Sequence, residues 1–289
     1  MRRSRLVERV RGDWVSVAVI YHDLFGNFGD PVLKGRIIPS FEKLKKVIAE
    51  KKIKVLTPHI TPELLESLKQ VHTQSYLQDV MDSGLYENAL LSAAGVLQGA
   101  QLVVQKKYNS VFCYTGSAGH HACRTRFWGY CYLNDVAITV HRLRQEGVHR
   151  FLVMDVDPHF GDGTREFFHD DPEVIHINFC DEVSSKLDSK NHNYDYALRM
   201  GWDEEFLETV DKSLKPEYEF DLMIVIFGHD SHYLDYGGFC LWDPAYTRLA
   251  EKIKAYCNGR PLLWVLSGGS DIGVAQTVIP DIVRILAED

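Results

Sequence analysis

No apolar run in this chain of 289 residues reaches the roughly 18 residues that a membrane-crossing helix requires, so no membrane span is expected. The six cysteines include no C-x-x-C pair, and several sit inside apolar stretches, as Cys113 does in Ser-Val-Phe-Cys-Tyr. That pattern speaks against a disulfide framework and for free thiols in a reducing cytoplasm. Positive charge is not in surplus: 32 Lys and Arg stand against 40 Asp and Glu, a net charge of -8. A chain of that sign is a poor nonspecific nucleic-acid binder, whereas a cationic substrate such as a polyamine or a lysine side chain is compatible with it. The first residues, MRRSRLVERVRGDW, are basic but lack the apolar core of a signal peptide, which again predicts a cytoplasmic protein. Linkers, repeats and low-complexity tracts are missing too, so residues 1–289 are expected to form one domain.

What is present is an alternation of short apolar runs with longer helical patterns. Strands are expected over 15–21, 109–114, 150–155, 173–179, 221–227 and 261–266. Helices are expected over 40–52, from Thr61-Pro62-Glu63 with Thr61 as N-cap, and over 86–107, 133–146, 204–214 and 244–256. Continuous apolar strands separated by helices imply an α/β fold, a parallel sheet covered on both faces. The polar stretch 181–196 reads as an exposed loop. Ligands of such sheets bind beyond the carboxyl ends of the strands. The residues there are 116–121, 155–162, 228–235 and 267–271, and these four loops hold nearly every suspicious polar side chain.

In RFLVMDVDPHFGDG, Asp155, Asp157 and His159 occupy alternate positions, which share a face in extended chain. VIFGHDSHYLD adds Asp230 and, further on, Asp235. One imidazole and two carboxylates suit a three-ligand zinc site with an open position, where bound water loses a proton near neutral pH. A lone Asp-x-Asp-x-His could equally be a loop cap or an ion-paired cluster; the second acidic loop favours metal. His229 and His232 flank Asp230 and fall on no strand-end pattern, which suits exposed or supporting roles. His120 and His121 follow YTGSAG, a glycine-rich turn that lets backbone approach a bound group. They are general acid and base candidates, with Asp155 and Asp162 as carboxylate partners.

GHHACRTRFWGYCYLNDVAI followed by FLVMDVDPHFGDGTREFF resembles the histone deacetylase and acetylpolyamine amidohydrolase superfamily. That family's pattern is roughly G-H-H-A, G-[FY]-C-[YF]-x-N-[DN] and D-x-D-x-H-H-G-[DN]-G. The likeness extends upstream through LKQVHTQSYL and downstream through GHDSHYLDYGGFCL to VLSGGSDI. It implies a single arginase/deacetylase-like three-layer domain. It implies one zinc ion, with iron(II) as the alternative, on Asp157, His159 and Asp230. His120 and His121 would be the acid/base pair oriented by Asp155 and Asp162. Tyr130 would line the tunnel for the acyl-bearing side chain, with the Gly129 carbonyl near the substrate amide. A structural potassium or other monovalent cation is implied near Asp155, Asp157, His159 and Asn178.

Three departures from the pattern stand out. The family's G-G-G-Y tyrosine, which hydrogen-bonds the substrate carbonyl, is replaced where this chain reads Ser267-Gly268-Gly269-Ser270-Asp271, and Asp271 is expected at the substrate in its stead. Loss of an oxyanion donor typically costs about 100- to 1,000-fold in rate. Phe160 stands where a second, non-ligating histidine is common. The 181–196 segment lacks the family's P-G-T-G stretch, so substrate identity does not carry over. The expected function is zinc-dependent removal of an acyl group from an amine, such as an acetylated polyamine, acetyl-lysine or a small amide. The alternative is a metal-binding homologue that holds an acyl-amine without turnover. A two-metal ureohydrolase would need more carboxylate ligands than D-V-D-P-H and G-H-D-S-H supply.

Overall fold

The computed structural model describes residues 17–181 and 184–288. The basic N-terminal stretch and the start of the strand expected from Val15 lie outside the described residues. Nine strands form one sheet: β1 (Val17–Ile20), β2 (Lys54–Leu56), β3 (Ser110–Cys113), β4 (Phe151–Asp155), β5 (Val174–Cys180), β6 (Lys186–Asp188), β7 (Asn193–Ala197), β8 (Leu222–Phe227) and β9 (Leu262–Leu266). Their spatial order is β2-β1-β3-β9-β8-β4-β5-β7-β6, parallel throughout except for β6, which runs antiparallel to β7 at the edge.

The central strands are buried on both faces, which is why they read as unbroken apolar runs rather than alternating ones. Alternate residues nevertheless serve different layers. Leu152, Met154, Met223, Val225 and Phe227 pack with the helices Ile37–Lys51, Asp203–Ser213, Asp243–Cys257 and Ile272–Leu286. Phe151, Val153, Leu222, Ile224 and Ile226 pack with Pro62–Val71, Gln74–Asp82, Tyr86–Val104 and Asp135–Gln145. The result is the three-layer α/β architecture of the arginase/deacetylase fold. Thr61 caps its helix as expected, accepting from the Leu64 N–H at 3.3 Å, with Pro62 at the first helical position. No helix among the described residues is long and apolar enough to cross a membrane.

The 181–196 segment departs from the expected exposed loop. Its last residues belong to β7, which pairs in parallel with β5 and buries Asn193, Tyr194 and Asp195. Polarity concealed it, because its polar side chains are buried with partners. Asp195 takes Arg165 bidentately at 2.6 and 3.2 Å and also accepts from Asn178. Buried polar groups matched in this way add no apolar signal to the sequence.

Candidate active site

β3, β9, β8 and β4 are successive neighbours in the sheet, so the loops beyond their carboxyl ends converge on one spot. Asp157 and His159 come from the loop after β4, Asp230 from the loop after β8, and each can offer a ligand atom within 4.8 Å of the others. His159 Nδ1 lies 2.9 Å from Asp157 Oδ1 and 3.3 Å from Asp230 Oδ2. Both carboxylates are buried, while the imidazole is partly exposed. The loop after β9 lies against them. The Gly268 N–H donates to Asp157 Oδ2 at 3.0 Å, and a β-carbon at Gly268 would collide with Oδ2 of both carboxylates, so only glycine fits there.

These residues fit a cation. Burial and the charge of Asp157 push the Asp230 carboxyl up to about 7, and its Oδ1 is buried without a hydrogen-bond partner among the described residues. Two carboxylates packed side by side out of water repel, and a divalent ion relieves that repulsion while satisfying the orphaned oxygen.

The paired histidines stand beside this triad, their rings 4.0 Å apart. His120 Nδ1 is 2.9 Å from Asp155 Oδ2, and its Nε2 is 3.7 Å from Asp157 Oδ2. Burial acts to lower the His120 pKa, but Asp157 and Asp155 outweigh it and hold the imidazole up at about 9. His121 Nδ1 is 2.8 Å from Asp162 Oδ1. Burial and the neighbouring His120 push His121 down to about 4.

The Histone deacetylase domain profile matches residues 33–286, a span that contains every one of these side chains. This chain belongs to that family. It is 27% identical to a probable deacetylase of Archaeoglobus fulgidus over 84% of this chain and 77% of the relative. It is 31% identical to acetylpolyamine amidohydrolase 1 of Pseudomonas aeruginosa over 63% of this chain and 57% of the relative. With the acetoin utilization protein AcuC of Bacillus subtilis it shares 25% identity over 86% of this chain and 74% of the relative.

The rest of the deacetylase-family site explains where the remaining sequence features went. His72 and Tyr76, from the V-H-T-x-x-Y stretch, are scaffolding. His72 donates from Nδ1 to the Cys123 carbonyl at 2.9 Å, accepts the Asn134 N–H at 3.0 Å, and stacks on Tyr76. Asn134 caps the helix Asp135–Gln145 through Oδ1 and donates from Nδ2 to the Ala122 carbonyl. Together they fix the loop that carries His120 and His121. Gly129 has φ of 59° and Tyr130 of 62°, both in the left-handed region. A β-carbon at Gly129 would press on His121 Cδ2, so this turn can lie against the imidazole only as glycine. Tyr130 stands next to it, partly exposed at the mouth.

Asp271 has a structural task as well. Its Oδ1 accepts from the Val274 N–H at 2.8 Å and caps the helix Ile272–Leu286. A short acidic residue before an apolar helix is a cap signal. Asp235 braces the same turn. Its carboxylate accepts from the N–H groups of Ser270 and Asp271, each at 2.9 Å, and lies 3.1 Å from His229 Nδ1. Burial opposes ionisation of Asp235, but these contacts hold it well below the usual carboxylate range. His229 and His232 are both buried rather than exposed, His232 lying 3.3 Å from Asp243. Phe160 sits beneath the Arg165 guanidinium, 5.6 Å away. Asn178 links β5 to its surroundings, accepting from the Gly161 N–H and donating to Asp195.

Three further side chains enter the site without a sequence signal. Trp128 stacks on His121 with centroids 3.8 Å apart and donates from Nε1 to Asp162 at 3.1 Å. Arg36, fully buried, donates to the carbonyls of Ser267 and Gly268 and so clamps the glycine turn from below. Tyr236 faces Tyr130 and His159, with ring centroids 6.3 and 6.0 Å away.

Proposed function

We propose that this chain is a zinc-dependent amidohydrolase that removes an acyl group, acetyl foremost, from an amine such as an acetylated polyamine or an acyl-lysine. The observation that carries the reading is the Asp157–His159–Asp230 group standing beside two histidine–carboxylate pairs of opposite tendency. The names of the Archaeoglobus and Pseudomonas relatives point the same way, and the negative net charge suits an amine.

A cation held by Asp157, His159 and Asp230 would polarise the acyl carbonyl and acidify a water. His121, kept neutral by its surroundings, takes a proton from that water through Nε2, with Asp162 on Nδ1 fixing the tautomer and the ring. His120, kept protonated by Asp155 and Asp157, supplies positive charge to the same small space. Collapse of the tetrahedral adduct breaks the C–N bond as imidazolium returns a proton to the leaving amine. Gly129 and Tyr130 border the approach to these groups.

Asp271, where the family's pattern has a tyrosine, favours a second reading in which the chain binds an acyl-amine without turning it over. Metal content by mass spectrometry, run beside a fluorogenic acyl-lysine assay on the same sample, separates the two. One equivalent of zinc with chelator-sensitive turnover supports the hydrolase. One equivalent with no turnover on acyl-lysine or acetylated polyamine supports the binding protein. Absence of metal after reconstitution would remove both.

A further inference from the structure

Hydrolysis of an amide passes through a tetrahedral adduct whose carbonyl oxygen carries the negative charge, and a hydrogen-bond donor aimed at that oxygen speeds the reaction. The turn after β9 ends Gly268-Gly269-Ser270, and its N–H groups are already committed. Gly268 N–H goes to Asp157, Ser270 N–H to Asp235, and Gly269 N–H to the hydroxyl of Tyr236 at 3.3 Å. The last contact locates that hydroxyl. It sits one residue from Gly268, whose α-carbon is in contact range of both ligand carboxylates, while the Tyr236 ring lies 6.0 Å from the His159 ring. Tyr236 is 44% exposed as a residue, so the side chain is within reach of solvent while its oxygen contacts the glycine turn.

The Tyr236 oxygen accepts in its one hydrogen bond among the described residues, which leaves its own proton uncommitted. The loop also holds it firmly. Gly237 N–H donates to the Asp230 carbonyl at 2.9 Å, Asp235 N–H donates to the His232 carbonyl at 2.9 Å, and the Asp235 carboxylate is tied to Ser270 and Asp271. Tyr236 is thus carried by the loop that also supplies the ligand Asp230, with the Tyr130 ring 6.3 Å away.

We propose that Tyr236 is the catalytic oxyanion donor of this chain, its phenol supplying the hydrogen bond for which the Ser267–Asp271 turn carries no tyrosine. The proposal rests on the hydrolase reading above. As water oxygen bonds to the acyl carbon and its proton passes to His121, the carbonyl π pair moves onto oxygen. That oxygen then accepts the Tyr236 O–H. The pair returns as the C–N bond breaks, and the Tyr236 proton stays on Tyr236 throughout.

The test compares wild type with Tyr236→Phe, both loaded with one equivalent of zinc, in three measurements. These are kcat and KM on a fluorogenic acetyl-lysine peptide, the affinity of an alkyl trifluoromethyl ketone, which binds as the tetrahedral hydrate, and the affinity of a non-hydrolysed alkyl amide. Removal of one donor is expected to lower kcat about 100- to 1,000-fold and to weaken the ketone by a similar factor. KM, amide affinity and zinc content stay within about threefold, because those states carry no full charge on oxygen. A purely structural tyrosine would weaken amide and ketone alike, and that result overturns the proposal. A variant that keeps wild-type kcat and ketone affinity overturns it too, while leaving the hydrolase reading intact. A wild type that neither turns over the peptide nor binds the ketone overturns both.

Discussion

His120 and His121 are sequence neighbours with touching rings, and each has a carboxylate on Nδ1, yet they are held in opposite states. His120 faces two buried carboxylates, Asp155 at Nδ1 and Asp157 beyond Nε2, and is held up at about 9. His121 hydrogen-bonds Asp162, a partly exposed carboxylate whose charge is shared with Trp128 and Arg126, and burial with the charge of His120 pushes it down to about 4. Within one dipeptide the surroundings favour the cation at His120 and the neutral ring at His121, because two buried carboxylates face the first while burial and the charge of His120 oppose protonation of the second.

The largest effects should come from deleting the rings. His121→Ala is expected to lower kcat by about 10²- to 10⁴-fold while one zinc equivalent stays bound, read by single-turnover kinetics and metal analysis. Full activity in that variant would end its assignment as base. His120→Ala should lose activity and also stability, because it leaves Asp155 buried and unpaired, a loss of about 3–5 kcal/mol. His121→Ala leaves Asp162 with Trp128 and Arg126, so its thermal midpoint should fall less. Equal losses of stability would erase the contrast.

Next come the carboxylates. Asp155→Asn and Asp162→Asn are each expected to reduce kcat/KM by about 10- to 100-fold. Asp155→Asn should also move the alkaline limb of the pH profile downward, since His120 loses a charge that holds its proton. A mutant profile superimposed on the wild type would contradict this. In wild type the neutral form of His121 exists above about 4 and is lost as pH falls through that value. The cationic form of His120 exists below about 9 and is lost as pH rises through that value. kcat/KM should therefore form a plateau between these limits, and activity unchanged well above pH 9 would show that the His120 cation plays no part. The smallest effect, a change of several-fold on the scale of an aromatic contact, is expected for Trp128→Phe. That variant keeps a ring on His121 but removes the Nε1–H from Asp162; a pH profile taken beside the wild type reads it.

Much of this arrangement was legible before any coordinates. The central strands announced themselves because burial on both faces leaves unbroken apolar runs, and the D-x-D-x-H spacing marked the loop after β4. β7 was not legible, since its buried Asn193 and Asp195 look like loop residues until Arg165 and His169 meet them. The Tyr236–Gly269 and Asp235–Ser270 contacts join loops far apart in the chain, which no local spacing encodes. The cap that Asp271 makes was not legible either, because a cap and a substrate-facing carboxylate carry the same letter in the same place.

The triad draws its members from the ends of β4 and β8, which lie side by side in the sheet but far apart in sequence, with Gly268 of the loop after β9 closing the third side. An unfolded chain can offer an ion only the Asp157–His159 pair. The complete set exists after three strands have paired in parallel, and such long-range pairing forms slowly. Uptake of the ion should therefore report the docking of the middle of the sheet. A metal-sensitive dye followed during refolding would time that docking against the burial of Trp264 in the same core.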